Sequence, residues 1–475
     1  MSSRFVCTGC GAEVDEERDL PFRCQASVTG DRVDHVLTRI LTRPAESAAP
    51  NLAGSAEANP FLCYRELLHS WHFAQARAIS DEVYCTRIRR LDDAVRSVDG
   101  TGLHVTPAAR SAELSDALGF REPGGVFVKN ETGNVAGSHK ARHLFEVLCY
   151  LEMREAAGLG PGRDPSLAIA SCGNAALAAA VLACAGRRHL EVFVPAAADP
   201  SVLARLRELE AEIVTCPRDS GVSGDPCVRR FREAVSAGAL PFTVQGSENG
   251  LAIEGGYTLG YELVDQLRST GEKLDRLFIQ VGGGALASAC IAGLCEARAA
   301  GALEELPRVH AVQTRGCHPL ARAHERLAGR IRERLANERG VSFPTEEEAV
   351  AQTLREHFPA QIVRDKIRYA ATHRDEFMWP WETEPTSIAE GILDDETYDW
   401  LGVVHGLLET GGYPVVVDDE TIREAAALAA TSLSRPASFT GAAGLAGLIE
   451  LRARGVVGDT ETVGVILTGA ARAES

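Results

Sequence analysis

The chain has no excess of basic residues. Its 49 Lys and Arg face 66 Asp and Glu, a net charge of −17, whereas a nucleic-acid partner selects a basic face that neutralises phosphates. No nucleic-acid partner is therefore expected. Long apolar runs are also missing: the best candidate, residues 167–186, carries Ser171 and Asn174 among many alanines and reads as strand and turn, so no membrane partner is expected either. The start, MSSRFVCTGC, has no basic segment followed by an apolar one, so no secretory signal is expected. No internal repeat or heptad run occurs. Cysteine is too thin for a disulfide framework: 13 residues in 475, an odd number, with Cys149, Cys184, Cys290 and Cys295 in apolar stretches where a thiol acts as a small hydrophobe. These absences point to a globular protein of a reducing compartment, the cytoplasm.

What is present is enough apolar sequence for two or three packed units: 45% hydrophobic and 24% charged residues. From about Gly125 to Gln313, short apolar runs alternate with helical stretches. VFVK (126–129), LAIAS (167–171), LEVFVP (190–195), EIVTC (212–216), RLFIQV (276–281) and VHAVQ (309–313) read as strands, and YPVVV and ETVGVILTG restore strand character near the end. Such alternation predicts parallel strands joined by crossover helices. Residues 320–376 are charged and helix-favouring and read as a helical insertion. Residues 43–60, rich in Ala, Pro, Ser and Asn, read as a linker, and the spacing of Leu67, Leu68, Trp71, Ala74 and Ala78 predicts a helical element after it. The predicted divisions are 1–60, a core of 61–319 with 377–475, and the insertion.

Four short motifs carry possible chemistry. In ETGNVAGSHKAR, Lys140 follows Gly137, Ser138 and His139 at a helix start. An amine of ordinary pKa, roughly 10.4, must lose a proton before it reacts, whereas a surface lysine needs no such setting. SCGN (171–174) after a strand opens a helix whose amides face an anion, or is a tight turn capped by Asn174. QVGGGAL (280–286) sets three glycines between strand and helix, a nest suited to phosphate, or a plain turn; it has neither the G-x-G-x-x-G of dinucleotide sites nor the G-K-[ST] of a P-loop. LTG (467–469) ends a strand with a hydroxyl, Thr468, that can bond a ring nitrogen without forcing a proton onto it.

In this order the motifs resemble the fold type II pyridoxal-phosphate enzymes, the group of threonine synthase, serine and threonine dehydratases and tryptophan synthase β chains. EGGYTLGYEL (254–263), VQTRGCHPLARA (312–323), SIAEGI (387–392) and GAAGLAGL (441–448) extend the similarity over about residues 123–471. The resemblance implies an α/β fold of two open, mainly parallel sheets flanked by helices, here with a small N-terminal cysteine-containing extension and the helical insertion. It implies that Lys140 forms a Schiff base with pyridoxal phosphate and then acts as the base at the substrate α-carbon. Gly282, Gly283, Gly284 and Ala285 would hold the phosphate, Asn174 the 3'-oxygen, and Thr468 would face the ring nitrogen. Ser138, Ser171, Cys172 and Gly173 would receive the substrate. His139, where relatives carry an aromatic or aliphatic residue, either packs beside the ring or donates a proton to the leaving group.

The activity implied is a lyase eliminating, or replacing, the β-substituent of a small hydroxy amino acid such as serine or threonine. Threonine-synthase-like chemistry on a phosphorylated homoserine is the near alternative, and a non-catalytic cofactor-binding regulator is another. A homodimer is expected by the same analogy. Separately, Cys7, Cys10 and Cys24 resemble the N-terminal cysteine ribbon of threonine synthases. A structural zinc needs four ligands, and the fourth is sought among Asp31, Asp34 and His35, with His35 the choice; a ribbon held by packing alone is the alternative.

Overall fold

The computed structural model of the chain describes residues 2–28, 30–42, 57–160, 165–218 and 225–472. Among them lie twelve strands: β1 (Ser2–Cys7), β2 (Leu37–Thr42), β3 (Ala108–Ser111), β4 (Gly125–Asn130), β5 (Leu167–Ala170), β6 (Leu190–Pro195), β7 (Glu212–Cys216), β8 (Leu240–Pro241), β9 (Arg276–Gln280), β10 (Arg308–Thr314), β11 (Pro414–Val417) and β12 (Thr462–Leu467). They form a β1-β2 antiparallel hairpin, a six-stranded sheet in the order β11-β10-β9-β12-β4-β3, and a four-stranded sheet in the order β7-β6-β5-β8. The larger sheet is parallel except for its edge pairing β3-β4, and the smaller one is wholly parallel. The expected α/β fold with two parallel-rich sheets is the one observed.

Period-two alternation sorts the strand residues between two cores. Phe127, Leu277, Ile279 and Ile466 face the helices Tyr257–Thr270 and Ala285–Ala299. Val126, Val128, Phe278, Val463 and Val465 face Phe439–Ala453 and Asp419–Ser432. Both faces of the sheet are thus covered, as a parallel sheet requires. The smaller sheet packs on Pro226–Ser236 and on Asn174–Ala185, a helix of alanines whose small side chains let it lie close to its neighbours, Lys140–Ala156 among them.

The differences from the sequence reading have local causes. β3 is built from Ala-Ala-Arg-Ser, which has no β-branched residue, and exists because β4 offers it an edge. The helical stretch after the linker is two helices, His69–Ala76 and Asp81–Asp99, broken at Ala78 (φ 57°) and restarted by Ser80, whose hydroxyl caps Val83 N–H. The linker expected at 43–60 lies outside the described residues at 43–56, and Pro60 already opens a short helix capped by Asn59. Three helices, Pro319–Arg339, Glu347–His357 and Gln361–Thr372, occupy the region read as an insertion. Among the described residues no helix is long and apolar enough to cross a membrane.

Candidate active site

Strand order decides where the motifs meet. β9, β12 and β4 are neighbours, so the loops at their carboxyl ends, which carry Gly282–Gly284, Thr468 and the approach to Lys140, open side by side. β5 brings Ser171–Asn174 from the facing sheet. Together they line one cavity of about 520 Å³. Ser138 is not among the lining residues; it is buried behind them in a bridge to Gly469, with its hydroxyl unpartnered.

Lys140 owes its place to a tight turn. Asn134 caps Val135 N–H at 2.8 Å, and Ala136 (φ 53°) and Gly137 (φ 70°) both adopt left-handed backbone before the helix Lys140–Ala156 begins. The turn is anchored to a buried ionic knot. Asn134 Nδ2 donates to Glu131 at 2.8 Å, and Arg142 joins Glu131 at 2.8 Å to Glu262 at 2.5 Å, which also holds Lys129 at 2.6 Å. Burial lowers the Lys140 pKa, opposed by the charges of Asp394 and Asp399. That direction favours the neutral amine.

The glycine turn is shaped for close approach. Gly284 has φ +96°, and a Cβ on Gly283 would lie 2.9 Å from the Tyr398 ring. The helix Ala285–Ala299 that follows has no side-chain cap, which leaves its first amides open to an anion. Asp394 stands against this turn, its Oδ2 leaving no room for a Cβ on Gly282, and burial pushes its pKa up to about 6. An anion seated in this turn meets that carboxylate at close range.

On the facing side, Gly173 is the N-cap of Asn174–Ala185 and Asn174 its first residue, again without a side-chain cap bond. Asn174 Oδ1 accepts from Arg472 at 3.0 Å, and Arg472 also approaches Asp199 at 3.7 Å. Thr468 is buried. Its carbonyl accepts from both the backbone N–H and Nδ1 of His139 at 3.1 Å, so Nδ1 carries the hydrogen and Nε2 is bare. Burial, reinforced by the Lys140 charge, holds the His139 pKa well below 6.5. The neutral ring, bare at Nε2, has no proton to give a leaving group and is placed to pack or to accept.

Sequence reading missed Gln280, Arg472 and Asp394. Gln280 had a signal, a polar residue ending an apolar strand. Arg472 and Asp394 had none, since nothing local ties them to the cavity.

These residues suit pyridoxal phosphate: an amine of lowered pKa, a glycine nest at an uncapped helix, and a hydroxyl facing the same space. The bare, buried Nε2 of His139 adds a polar group at the cavity left without a partner in the chain itself. A family model described as pyridoxal-phosphate dependent enzyme matches residues 101–373, more than half of the chain. Threonine synthase of Methanocaldococcus jannaschii is 24% identical over 371 residues, 77% of this chain and 74% of that protein. L-serine dehydratase of Saccharomyces cerevisiae is 30% identical over 200 residues, 41% of this chain and 57% of that protein. Among solved structures, the fold is similar to a threonine deaminase of T.th., with a TM-score of 0.55 and 22% identity over 82% of this chain and 99% of that one. It is also similar to maize serine racemase, with a TM-score of 0.53 and 18% identity over 80% of this chain and 95% of that one. The chain belongs to the pyridoxal-phosphate-dependent enzymes.

Proposed function

We propose that the protein is a pyridoxal-phosphate-dependent lyase that eliminates the β-substituent of a small hydroxy amino acid such as serine or threonine. Lys140 would hold the cofactor aldehyde, Gly282–Ala285 its phosphate, Asn174 its 3'-oxygen, and Thr468 would bond its ring nitrogen. When bound, the cofactor supplies the electron sink that stabilises negative charge at the substrate α-carbon. The chain's own groups do the rest. The loop Ser171–Gly173 and the open amides after it orient the substrate carboxylate. Neutral Lys140 Nζ takes the α-proton, which its lowered pKa favours at neutral pH. The β-hydroxyl then departs as water with the proton that Lys140 removed, and a second water converts the released enamine to a keto acid and ammonia.

The observation that carries this reading is the pairing across one cavity of Lys140 with Thr468, a hydroxyl in place of a carboxylate. A hydroxyl leaves the ring nitrogen unprotonated, which suits elimination. The L-serine dehydratase and threonine deaminase likenesses agree with it. Threonine-synthase-like chemistry has the longer match in its favour, but it must seat a phosphorylated side chain. Among the described residues, Arg472 is the cation that lines the cavity besides Lys140, against the carboxylates of Asp199, Asp225, Glu390 and Asp394. That balance favours a neutral or cationic β-substituent.

The test is a panel of serine, threonine, a diamino acid and O-phosphohomoserine on cofactor-loaded protein, with Lys140→Ala as control. Keto acid from serine or threonine is the expected outcome; phosphate release from O-phosphohomoserine selects the alternative. A yellow protein that turns over no amino acid selects a cofactor-binding regulator. A homodimer is the assembly this reading expects, and sedimentation measures it.

A further inference from the structure

Far from the cavity motifs in sequence, three thiols and an imidazole converge. Cys7 ends β1, Cys10 closes the turn after it, Cys24 follows 14 residues on, and His35 stands just before β2. Their ligand atoms all lie within 4.8 Å of one another. Cys10 Sγ and Cys24 Sγ are 3.6 Å apart, and Cys7 Sγ and His35 Nδ1 3.4 Å. A tetrahedral zinc with Zn–S of about 2.3 Å and Zn–N of about 2.0 Å separates two sulfurs by about 3.8 Å and sulfur from nitrogen by about 3.5 Å.

The surroundings fit an ion as well as the ligands do. Cys10 N–H points at Cys7 Sγ at 3.5 Å. His35 Nε2 meets Asp31 Oδ2 at 2.9 Å, which places the ring hydrogen on Nε2 and leaves the Nδ1 lone pair toward Cys7. Asp31 is itself held by Val28 N–H at 3.2 Å and Val33 N–H at 3.1 Å. Asp34, another candidate fourth ligand, points elsewhere, to Arg374 at 3.3 Å. Gly9 lets the Cys7–Cys10 turn lie directly on the His35 turn, since a Cβ there would come within 2.6 Å of Asp34 O.

The His35 turn leads onward to the glycine nest. Asp34 N–H donates to Ala371 O at 2.7 Å, and Arg32 grips Asp375 at 2.8 Å and Glu376 at 2.9 Å. Arg374, paired with Asp34, also pairs with Glu396. Directly after Glu396, Thr397 Oγ1 donates to Gly282 O and Asp399 N–H to Gly283 O, both at 2.9 Å.

We propose that Cys7, Cys10, Cys24 and His35 bind one structural zinc ion, and that by fixing the 31–36 turn the ion holds Arg374 and residues 396–399 against the glycine turn. The second half rests on the cofactor reading above. The test uses the full chain. Metal analysis is expected to find one zinc per chain, and cobalt in its place should give thiolate-to-cobalt charge-transfer absorption with the visible bands of a tetrahedral site. Asp31→Asn keeps all four ligands and should weaken metal binding about 10- to 100-fold; Cys10→Ser, at the exposed ligand, should weaken it further. Chelation should then raise the dissociation constant for pyridoxal phosphate, read by absorbance titration, at least about fivefold.

A protein that takes up no zinc from excess, or that has Cys10 and Cys24 joined in a disulfide, overturns the site. Cofactor affinity unchanged by chelation of a metal-loaded protein overturns the coupling. Failure to bind the cofactor with or without metal overturns both the coupling and the proposed function, while the metal count still decides the site.

Discussion

Gln280 Nε2 lies 2.6 Å from Thr468 Oγ1, and 2.8 and 3.0 Å from the carbonyls of Gly441 and Thr440. Carbonyls only accept, so the group facing all three is the amide NH2. Thr468 Oγ1 is therefore an acceptor from Gln280, and its own hydrogen is free for the cavity. Gln280→Glu would accept that hydrogen instead, whereas Gln280→Leu would leave it free. The expected result is a dissociation constant for pyridoxal phosphate about tenfold higher in the Glu variant, equivalent to ~1.4 kcal/mol, with a smaller change in the Leu variant. Equal losses in the two would count against the role given to the hydroxyl.

Asp394 stands against the glycine turn where an anion would sit, and its pKa of about 6 sets when it opposes one. Above that value it is ionised and repels phosphate; below it, it is neutral and displaced more readily. Asp394→Asn should bind the cofactor more tightly than the natural chain well above pH 6, and the two affinities should converge as the pH falls below about 6. A constant gap across the range would show that the carboxylate does not compete.

Burial lowers the Lys140 pKa from the ordinary 10.5 in the folded, cofactor-free chain. The unfolded chain then binds more protons over the interval between the lowered value and 10.5, so stability rises with pH there. Lys140→Met removes the penalty. The variant should be more stable than the cofactor-free natural chain at neutral pH, and its advantage should shrink as the pH approaches 10.5. Denaturant titrations at several pH values measure this, and a gap that widens with pH would refute it.

The knot beneath Lys140 is a stability element. Arg142 is fully buried between Glu131 and Glu262, so Arg142→Leu strands the Glu131 carboxylate away from water and leaves Glu262 to Lys129 alone. The expected loss is about 3–5 kcal/mol, read as a lower denaturant midpoint at an unchanged slope. Lys273→Ala, from an exposed pair with Glu304, should leave the midpoint in place. Similar midpoints for the two variants would contradict the distinction.

Strands such as LFIQ and VGVIL were legible because burial on both faces of a parallel sheet demands continuous apolar sequence. β3 was not, because an edge strand of Ala, Ala, Arg and Ser is held by its neighbour and not by its own preference. The break at Ala78 was hidden as well, since apolar spacing continues through a left-handed residue that costs nothing visible in the pattern. The same divide runs through the candidate site. Lys140, Asn174, the triple glycine and Thr468 each sit in a local pattern that names a chemistry. Arg472 and Asp394 become relevant only because distant loops place them at the cavity.

Sequence by itself determined the buried parallel strands and their crossover helices, the order of the motifs and the family, because these follow from apolar periodicity, turn residues and short-range spacing. Only the tertiary structure decided that β9, β12 and β4 are neighbours, that His139 is neutral and bare at Nε2, and that Asp34 turns to Arg374 while Asp31 meets the far nitrogen of His35. Strand order, burial and the direction of a ring nitrogen are set by residues hundreds of positions apart, and no local pattern records them.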